Sequence, residues 1–383
     1  MAGTNMDSKN MKVCTKCVMD TTDPHIVFDK DGVCDFCIDY EKNILKKWKP
    51  NFFDEKGLKK IADQIKARCK NKKYDCIIGL SGGVDSCYLC YLAKEVMGLR
   101  PFIYISNTGW NLPVADSNIK KVLDKLQLDY FVENINWDEM KDLQVAFLKS
   151  QVPYQDLVQD HVIFAGLYNY AVKHGFKYVL TGANNATESI RPPMEWVYMN
   201  DTKMMKDIHK KFGTIKLKTL PMCSMLKYKI WYRYFKGMKR IAPLDYVVYN
   251  KKDIEKFLMD YFGWERYANK HYEDVFTRWY EGYYLPTKFG YDKRKCYFSN
   301  LIHINEMTRD EALAKLAEAP YDDLTIKEDT KYIAQKLGLT EEELMSIISQ
   351  PNKTYRDYKN QYWLIKLGIK VSRLLGIENR NFR

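Results

Sequence analysis

The six residues Ser81-Gly82-Gly83-Val84-Asp85-Ser86 constrain the fold more than any other part of the sequence. They separate an apolar run, residues 74–80, from a helical pattern at residues 86–97. Glycines permit positive φ and a close backbone approach, so successive N–H groups can surround an anion at a helix N-terminus. A strand, this loop and a helix in succession therefore predict a phosphate-binding loop.

Asp85 is the unexpected member of this loop, because a carboxylate repels phosphate unless a cation lies between them. We therefore expect Asp85 to hold Mg²⁺. The loop lacks the lysine of a G-x-x-x-x-G-K-[ST] motif, and the chain contains no G-x-G-x-x-G pattern. Transfer of a terminal phosphoryl group and dinucleotide binding are both disfavoured by these two absences.

Strand-like and helix-like segments alternate along the first two thirds of the chain. Strands are predicted at 74–80, 100–106, 130–133 and 176–182, and helices at 86–97, 112–126, 138–149 and 160–174. This alternation predicts an α/β fold with a parallel, Rossmann-like sheet that is covered by helices on both faces. Ligands are expected beyond the C-terminal ends of its strands. Beyond residue 245 the pattern becomes mostly helical and rich in tyrosine.

Four of the ten cysteines form two C-x-x-C pairs that are separated by 16 residues: Cys14, Cys17, Cys34 and Cys37. Thiolates at this spacing can converge on one tetrahedral Zn²⁺, and four of them leave no position open for catalysis. We predict a structural zinc-ribbon-like module with a short hairpin around Asp31-Gly32, and an iron–sulfur cluster is the alternative. The predicted domains are this module at 1–45, the sheet domain at 46–245 and a helical region for substrate or partner binding at 246–383.

The positive charge of the chain is concentrated in one segment. The formal charge is +12, and residues 203–240 contain ten Lys and two Arg against one Asp, a net charge of +11. Such a segment suits nucleic acid, an anionic sugar nucleotide, a membrane surface or an acidic partner, whereas a solvated basic helix is the plain alternative. No apolar run reaches the roughly 18 residues of a membrane span, and the N-terminus is polar. We expect a cytoplasmic protein without a membrane span.

The loop SGGVDS resembles the PP-loop of N-type ATP pyrophosphatases, which hold pyrophosphate as the leaving group while an oxygen of the substrate becomes adenylated. The resemblance implies ATP and Mg²⁺ as reactants. It also places two further strand ends, SNTGWN at 106–111 and TGANNATES at 181–189, beside the nucleotide. The implied ATP-binding residues are Leu80, Ser81, Gly82, Gly83, Val84, Asp85, Ser86, Ser106, Asn107, Thr181, Gly182 and Asn184.

Longer segments resemble the N-acetyl sugar amidotransferase family (PseA/WbpG type). They include CTKCVMDTTDPHIVFDKDGVCDFC, QVAFLKSQVP at 144–153 and NKHYEDVFTRWYEGYYLPTKFGYDKRK at 269–295. The resemblance covers essentially residues 11–350. It implies an ATP-dependent enzyme that adenylates the N-acetyl group of a sugar or nucleotide sugar and displaces AMP with ammonia. The product is an acetamidino sugar of bacterial surface polysaccharide or flagellin glycans.

The last of these segments combines cations with aromatic rings, a combination that suits an anionic sugar. The predicted substrate residues are His271, Tyr272, Glu273, Arg278, Lys288, Lys293 and Arg294, with structural ion pairs as the alternative. The candidate catalytic residues are Asp85, Glu188, His161 and Asp160, of which the last three are unranked candidates for the base that acts on ammonia.

The ammonia needs a source, and no cysteine lies in a G-x-C-x-G elbow or directly after an initiating Met. The resemblance therefore implies two partners, a separate glutaminase and a cyclase-like subunit, which are similar to the pair used in histidine biosynthesis (HisH-like and HisF-like). One alternative is an RNA-modifying PP-loop enzyme that uses ammonia or sulfur, and another is a nucleotide sensor without activity. Only Cys223 and Cys296 follow Cys90, which disfavours a thiolase and makes nucleic acid an unexpected partner.

Overall fold

The structure, a computed structural model, describes residues 11–198, 201–267 and 274–374. Five parallel strands form one sheet in the order β3-β2-β1-β4-β5. Their bounds are β1 Cys76–Gly79, β2 Pro101–Asn107, β3 Tyr130–Asn134, β4 Tyr178–Leu180 and β5 Lys239–Ile241. The strand order changes direction between β1 and β4, and this switch point is where ligands bind in doubly wound sheets.

Helices surround the sheet within the described residues. The α-helices are α1 Asp35–Asp39, α2 Glu55–Arg68, α3 Val84–Tyr91, α4 Pro113–Leu126, α5 Trp137–Ser150, α6 Leu157–Lys173, α7 Asn185–Glu188, α8 Thr202–Phe212, α9 Lys251–Phe262, α10 Val275–Trp279, α11 Leu285–Phe289, α12 Arg294–His303, α13 Arg309–Ala317, α14 Asp323–Leu337, α15 Glu341–Ile348 and α16 Tyr362–Leu374. The described residues also contain four π-helical segments, Tyr40–Ile44, Leu92–Val96, Lys227–Phe235 and Tyr280–Tyr284, and two 3₁₀ segments, Pro243–Tyr246 and Tyr355–Asp357. Within the described residues, no helix has the length and apolar character needed to cross a membrane.

The central strand explains why this sheet is parallel and covered on both faces. Cys76, Ile77 and Ile78 of β1 are fully buried, as expected for a strand with helices above and below it. The edge strand β5 is different, because Lys239 and Arg240 are exposed, and charges on an edge strand oppose pairing with another chain.

The fold class predicted from sequence is confirmed, and so are the four predicted strands and the helices between them, with small shifts at their ends. β5 was not predicted, because a three-residue strand of sequence KRI carries no apolar signal. The predicted N-terminal hairpin is wrong in detail. A single bridge joins Phe28 to Cys34 across the turn at Gly32, which has φ +77°.

The chain after residue 245 shares a core with the sheet domain. Leu258 and Trp264 belong to the same buried cluster as Ile78 of β1 and Leu89 of α3. The predicted domain boundaries stay predictions, but this shared core places residues from the C-terminal region directly beside the phosphate loop.

Candidate active site

The phosphate loop turns sharply from β1 into α3. Gly82 has φ +84°, and a Cβ added there would lie 2.6 Å from the backbone oxygen of Ala115, so this position requires glycine. Gly83, by contrast, has φ −72° and is the N-cap of α3. The hydroxyls of Ser81 and Ser86 face each other at 3.2 Å. The unbonded N–H groups of the first turn of α3 and these hydroxyls form a site suited to phosphate.

Two aromatic side chains from the C-terminal region fix this loop. The indole N–H of Trp264 donates to the Gly82 carbonyl oxygen at 2.9 Å, and the hydroxyl of Tyr267 reaches the same oxygen at 3.1 Å. The side-chain amide of Asn118 in α4 donates to the Glu265 carbonyl at 2.9 Å and so helps to fix the segment that carries Trp264 and Tyr267. The sequence analysis missed these residues, because no motif surrounds them.

Asp85 lies in the first turn of α3 and faces the end of β4. Its carboxylate accepts a hydrogen bond from the hydroxyl of Tyr249. Burial raises the pKa of Tyr249 well above its ordinary value, and the negative charge of Asp85 raises it further, with a smaller contribution from Glu188. A Cβ added to Gly182 would lie 3.0 Å from the Cβ of Asp85, so the loops after β1 and β4 are in close contact.

The loop after β4 carries the predicted residues Thr181, Gly182, Asn184 and Glu188. Asn184 caps α7 by accepting from the Thr187 N–H at 2.9 Å, and Glu188 at the end of α7 is half-buried. The guanidinium of Arg240 in β5 lies 3.4 Å from the Thr181 hydroxyl. Arg240 thus places a cation at the end of the sheet where the nucleotide is expected, and it was not among the predicted site residues.

Asn300 of α12 fastens this loop to the C-terminal region. Its amide oxygen accepts from the Ser189 hydroxyl at 2.6 Å and from the Ile190 N–H at 2.7 Å, and its amide nitrogen donates to the Thr187 carbonyl at 2.9 Å. Asn300 is almost fully buried. The position of Glu188 therefore depends on a residue more than a hundred positions further along the chain.

The loop after β2 leads from the nucleotide side to a second polar region. Asn107 is exposed and donates to Asn134 at 3.0 Å, whereas Ser106 is half-buried. The hydroxyl of Thr108 lies 3.4 Å from the amide oxygen of Gln159 in α6, and the amide nitrogen of Gln159 donates to Asp274 at 2.9 Å.

Four carboxylates and one lysine form the second polar region: Asp156, Asp160, Asp274, Glu281 and Lys293. We call these five residues the carboxylate cluster. Thr277 connects two of them, since its N–H donates to Asp274 at 2.7 Å and its hydroxyl donates to Asp156 at 3.0 Å. Lys293 forms an ion pair with Glu281.

Charge and burial in the carboxylate cluster shift several pKa values. Burial raises the pKa of Asp156 well above its ordinary value, and the negative charge of Asp160 raises it further. Although part of Asp160 is reached by solvent, desolvation by the surrounding protein raises its pKa to about 6 against the opposing charge of Lys293, and the negative charges of Glu281 and Asp274 add to this rise. Although burial alone would lower the pKa of Lys293, Glu281 and Asp156 raise it. The cluster thus combines a carboxyl group that titrates near neutrality with a permanent cation.

Three of the predicted substrate residues are engaged in structural contacts. Arg278 forms a bidentate pair with Asp329 at 2.6 and 2.8 Å. Lys288 donates to the carbonyls of Ile348 and Gln350 at the end of α15, and burial lowers its pKa to about 8. Arg294 pairs with Asp292 at 2.8 Å and binds carbonyls at the end of α13. Of the predicted set, Lys293 alone joins the carboxylate cluster within the described residues.

The remaining predicted site residues have two different outcomes. His271, Tyr272 and Glu273 lie outside the described residues. His161 is fully buried in α6, where its Nε2 accepts from the Cys223 N–H at 3.2 Å. Because this ring nitrogen already holds the backbone in the core, His161 is a weaker candidate base than Asp160 or Glu188.

The four N-terminal cysteines converge as predicted. Cys14, Cys17, Cys34 and Cys37 are fully buried, and their sulfur atoms all lie within 4.8 Å of one another. Backbone N–H groups point at these sulfurs, including that of Cys34 at 3.2 Å from the Cys14 Sγ. Four sulfurs in this arrangement, with N–H donors around them, fit one metal ion.

The C-terminal region contacts this cysteine cluster from outside. Arg309 donates to the carbonyls of Cys14 and Cys17 at 2.9 to 3.1 Å. The Nε2 of His303 lies 3.2 Å from the Cys37 sulfur, and its ring stacks on Tyr40. Contacts to the ligand shell of this kind orient metal ligands.

Two protein families match separate parts of the chain. The family described as NAD synthase matches residues 57–191, which contain the phosphate loop, and the family described as "LPS biosynthesis protein WbpG-like, C-terminal domain" matches residues 273–372. The sheet order and the phosphate loop define a PP-loop protein of the ATP pyrophosphatase superfamily. Within that class, this chain joins its PP-loop domain to a WbpG-like C-terminal domain.

Two relatives are similar in sequence to part of this chain. An uncharacterized protein of Methanocaldococcus jannaschii is 26% identical over 172 residues, which are 44% of this chain and 58% of the relative. A tRNA-specific 2-thiouridylase (MnmA 2) of Fusobacterium nucleatum is 25% identical over 217 residues, which are 53% of this chain and 60% of the relative. The chain thus spans less than two thirds of these relatives.

Two solved structures are similar at low sequence identity. The NH3-dependent NAD synthetase of Campylobacter jejuni is 15% identical, with coverage of 79% of this chain and 99% of that one and a TM-score of 0.33. The U34-tRNA thiolase of Methanococcus maripaludis with its [4Fe–4S] cluster is 13% identical, with coverage of 84% and 88% and a TM-score of 0.33.

Proposed function

We propose that this protein is an ATP-dependent amidotransferase that converts the N-acetyl group of a sugar or nucleotide sugar into an acetamidino group. The contact between α12 and the loop after β4 carries this proposal. Asn300 belongs to the WbpG-like domain and positions the segment that contains Glu188 beside the phosphate loop. A residue of the domain that matches a lipopolysaccharide-biosynthesis family therefore contacts the loop beside the proposed nucleotide site, which supports a sugar as the substrate that reacts with ATP.

The first chemical step is adenylation. The acetamido oxygen attacks the α-phosphorus of ATP, the bond between the α-phosphorus and the bridging oxygen breaks, and pyrophosphate leaves with the electron pair. The nitrogen proton of the acetamido group is lost, and an O-adenylyl imidate remains. Ser81, Ser86 and the first N–H groups of α3 hold the departing pyrophosphate, and their fixed dipoles stabilise the charge that develops on it.

The second step replaces AMP with ammonia. The lone pair of ammonia attacks the imidate carbon, the carbon–oxygen bond to AMP breaks, and a proton leaves the nitrogen. We propose Asp160 as the acceptor of this proton, because its pKa of about 6 leaves it ionised yet basic near neutrality. Glu188 is the second candidate, on the nucleotide side of the site. Lys293 supplies a positive charge that holds the carboxylate cluster together.

A metal ion is expected at each of two places. Asp85 and the ATP phosphates would hold Mg²⁺, a cation that is commonly bound by one or two carboxylates and substrate phosphates. When bound, it would neutralise charge on the phosphates.

At the cysteines we propose one Zn²⁺. A tetrahedron with Zn–S bonds of about 2.3 Å has edges of about 3.8 Å, and three sulfur pairs here lie 3.6 to 3.9 Å apart. An iron–sulfur cluster distributes its thiolates over several iron atoms and would need a wider site.

The buried cysteines favour amidation over thiolation. All ten cysteines of the chain are buried, whereas sulfur transfer needs a thiolate that a partner or substrate can reach. The same burial leaves no accessible cysteine nucleophile for hydrolysis of glutamine. We therefore propose that ammonia comes from a separate glutaminase with a cyclase-like subunit, in the cytoplasm of a bacterium that makes surface polysaccharide or flagellin glycans.

Mass spectrometry tests the proposed function. The protein is incubated with Mg²⁺, ATP, ammonium and a panel of N-acetylated nucleotide sugars, and AMP is measured in parallel. One sugar is expected to change by the mass difference between O and NH, with one AMP formed for each sugar converted. Asp85→Asn should abolish both, whereas Asp63→Asn, an exposed carboxylate on α2, should change neither. AMP formation with tRNA instead of any sugar would support the RNA-modifying alternative and overturn this proposal.

A further inference from the structure

The π-helix Lys227–Phe235 is firmly attached along one side. The Tyr232 hydroxyl donates to the Asn169 side chain at 2.5 Å. The ring of Tyr228 packs edge-on against Phe164 and Tyr168, with centroids 4.8 Å away. This side rests on α6, so the segment has a defined inner and outer face.

The outer face is apolar and exposed to solvent. Five large side chains are 47 to 69% exposed: Leu226, Ile230, Trp231, Tyr234 and Phe235. A π-helix has about 4.4 residues per turn because its hydrogen bonds join residues i and i+5. The spacing i, i+4, i+5, i+8, i+9 therefore collects these five residues on one side, whereas an α-helix would spread them over about half of its circumference. The π-helical conformation creates the patch.

Cations surround this patch, and no acidic residue occurs nearby in the sequence. Residues 208–244 contain ten Lys and Arg and no Asp or Glu. Lys227, Lys229, Arg233 and Lys236 are exposed, and the Lys236 ammonium lies 5.5 Å from the Trp231 ring. We call the five apolar residues and these four cations the basic–apolar face.

Helix α16 repeats this chemistry. Trp363, Leu367, Val371 and Leu374 are 44 to 78% exposed at intervals of three or four residues, with cations but no acids between Tyr362 and Leu374. Its inner residues Ile365 and Ile369 belong to the same hydrophobic cluster as Met225, which directly precedes the basic–apolar face. Helix α16 thus packs on a cluster that reaches the start of the basic–apolar face, whereas Tyr228 and Tyr232 pack with α6 in a separate cluster.

We infer that the basic–apolar face binds the surface of an anionic phospholipid bilayer. Lys and Arg beside exposed Trp, Phe and Leu are the pattern of a helix that lies in the plane of a membrane interface. The five apolar side chains expose on the order of 500 Å² in one patch, and the cations around it match the negative charge of an anionic lipid surface. The exposed aliphatic side chains of Leu226 and Ile230 favour a bilayer over RNA, because they can enter the acyl region and offer RNA neither a charge nor a ring for stacking. This inference is independent of the proposed reaction.

Vesicle sedimentation tests the inference. The full chain is mixed with vesicles of phosphatidylcholine alone or of phosphatidylcholine and phosphatidylglycerol, at low and high ionic strength. We expect binding to the anionic vesicles that weakens with salt and falls at least about tenfold in the double variant Trp231→Ser/Phe235→Ser. The matched control is Phe52→Ser/Phe53→Ser, two aromatic residues that are also exposed, and it should bind like the wild type.

A second double variant distinguishes a loss of vesicle binding from a loss of folding. The charge reversals Lys229→Glu/Arg233→Glu alter exposed side chains only and should reduce binding by a similar factor while the melting temperature stays unchanged. Equal binding to neutral vesicles would overturn the inference, as would unchanged binding by both double variants. Binding of RNA without binding of vesicles would also overturn it and assign the face to nucleic acid.

Discussion

Gly82 is the residue at which the phosphate loop tolerates least change. In Gly82→Ala, the new Cβ meets the Ala115 carbonyl oxygen at 2.6 Å, in addition to the strain of φ +84°. We expect AMP formation to fall about 100-fold, because a small displacement of a catalytic loop is enough for such a loss. Gly175→Ala is the control, since Gly175 has φ +72° with nothing within 4 Å. It should cost about 1 kcal/mol of stability and leave the rate unchanged, and equal losses in the two variants would contradict a specific role of the loop.

Asp160 gives the proposed reaction a pH dependence. If Asp160 accepts the proton in its ionised form, kcat/KM at a fixed concentration of free ammonia should rise as the pH passes upward through about 6. Asp160→Asn should lower the rate and remove this rise, and rates measured from pH 5 to 8 test it. A rise that persists in Asp160→Asn would assign the titration to another group.

The same pKa predicts an effect on stability. The folded protein holds the Asp160 proton up to a pH of about 6, whereas the unfolded chain releases it near 4. Between these values the folded state binds more protons, so this group makes the protein less stable as the pH rises. Melting temperatures across this range should fall less in Asp160→Asn than in the wild type.

Site residues that belong to a recognisable motif could be predicted from the sequence. The six loop residues and the four cysteines lie where their spacing indicates. Tyr249, Trp264, Tyr267 and Asn300 complete the same site without any motif, because they arrive through tertiary packing from distant parts of the chain. Conversely, some predicted site residues near position 280 have only structural contacts. Charge alone does not distinguish Arg278, which lies in an ion pair, from Lys293, which lies in the carboxylate cluster.

The proposed zinc centre is an element on which its neighbours should depend. Its cysteines lie in a segment with a small core, and Arg309 and His303 contact that segment from α13 and α12. We predict one zinc per chain by elemental analysis, a loss of that zinc in Cys34→Ser, and faster hydrogen exchange in α12 and α13 of the same variant. Cys90→Ser, a buried cysteine outside the cluster, should keep the zinc. Several iron atoms with inorganic sulfide in each chain, in place of one zinc, would contradict the compact geometry.

Elements with a strong periodic pattern could be predicted, and short or irregular ones could not. The apolar run of β1 and the alternation that follows it indicate the parallel sheet. β5 is short and basic, and its place beside β4 follows from packing rather than from propensity. The π-helix at 227–235 has the composition of an amphipathic α-helix, so its wider turn could not be predicted from the sequence, and Tyr228 and Tyr232 hold it against α6.

The whole molecule is expected to use free ammonia. Because all ten cysteines are buried, glutamine alone should give no product, whereas ammonium should support turnover at alkaline pH. Addition of a glutaminase and cyclase-like pair from the same organism should restore activity with glutamine. Product formation from glutamine by this chain alone, measured by mass spectrometry, would contradict the proposal that a separate glutaminase supplies the ammonia.

The central claim is that the acetamido oxygen attacks the α-phosphorus at the PP-loop. The most direct measurement uses an N-acetyl sugar whose acetamido oxygen is ¹⁸O, with ATP, Mg²⁺ and ammonium, followed by mass spectrometry of the nucleotides. We predict AMP that carries one ¹⁸O for each amidine formed, together with unlabelled pyrophosphate. AMP without the label, or ADP as the nucleotide product, would contradict it.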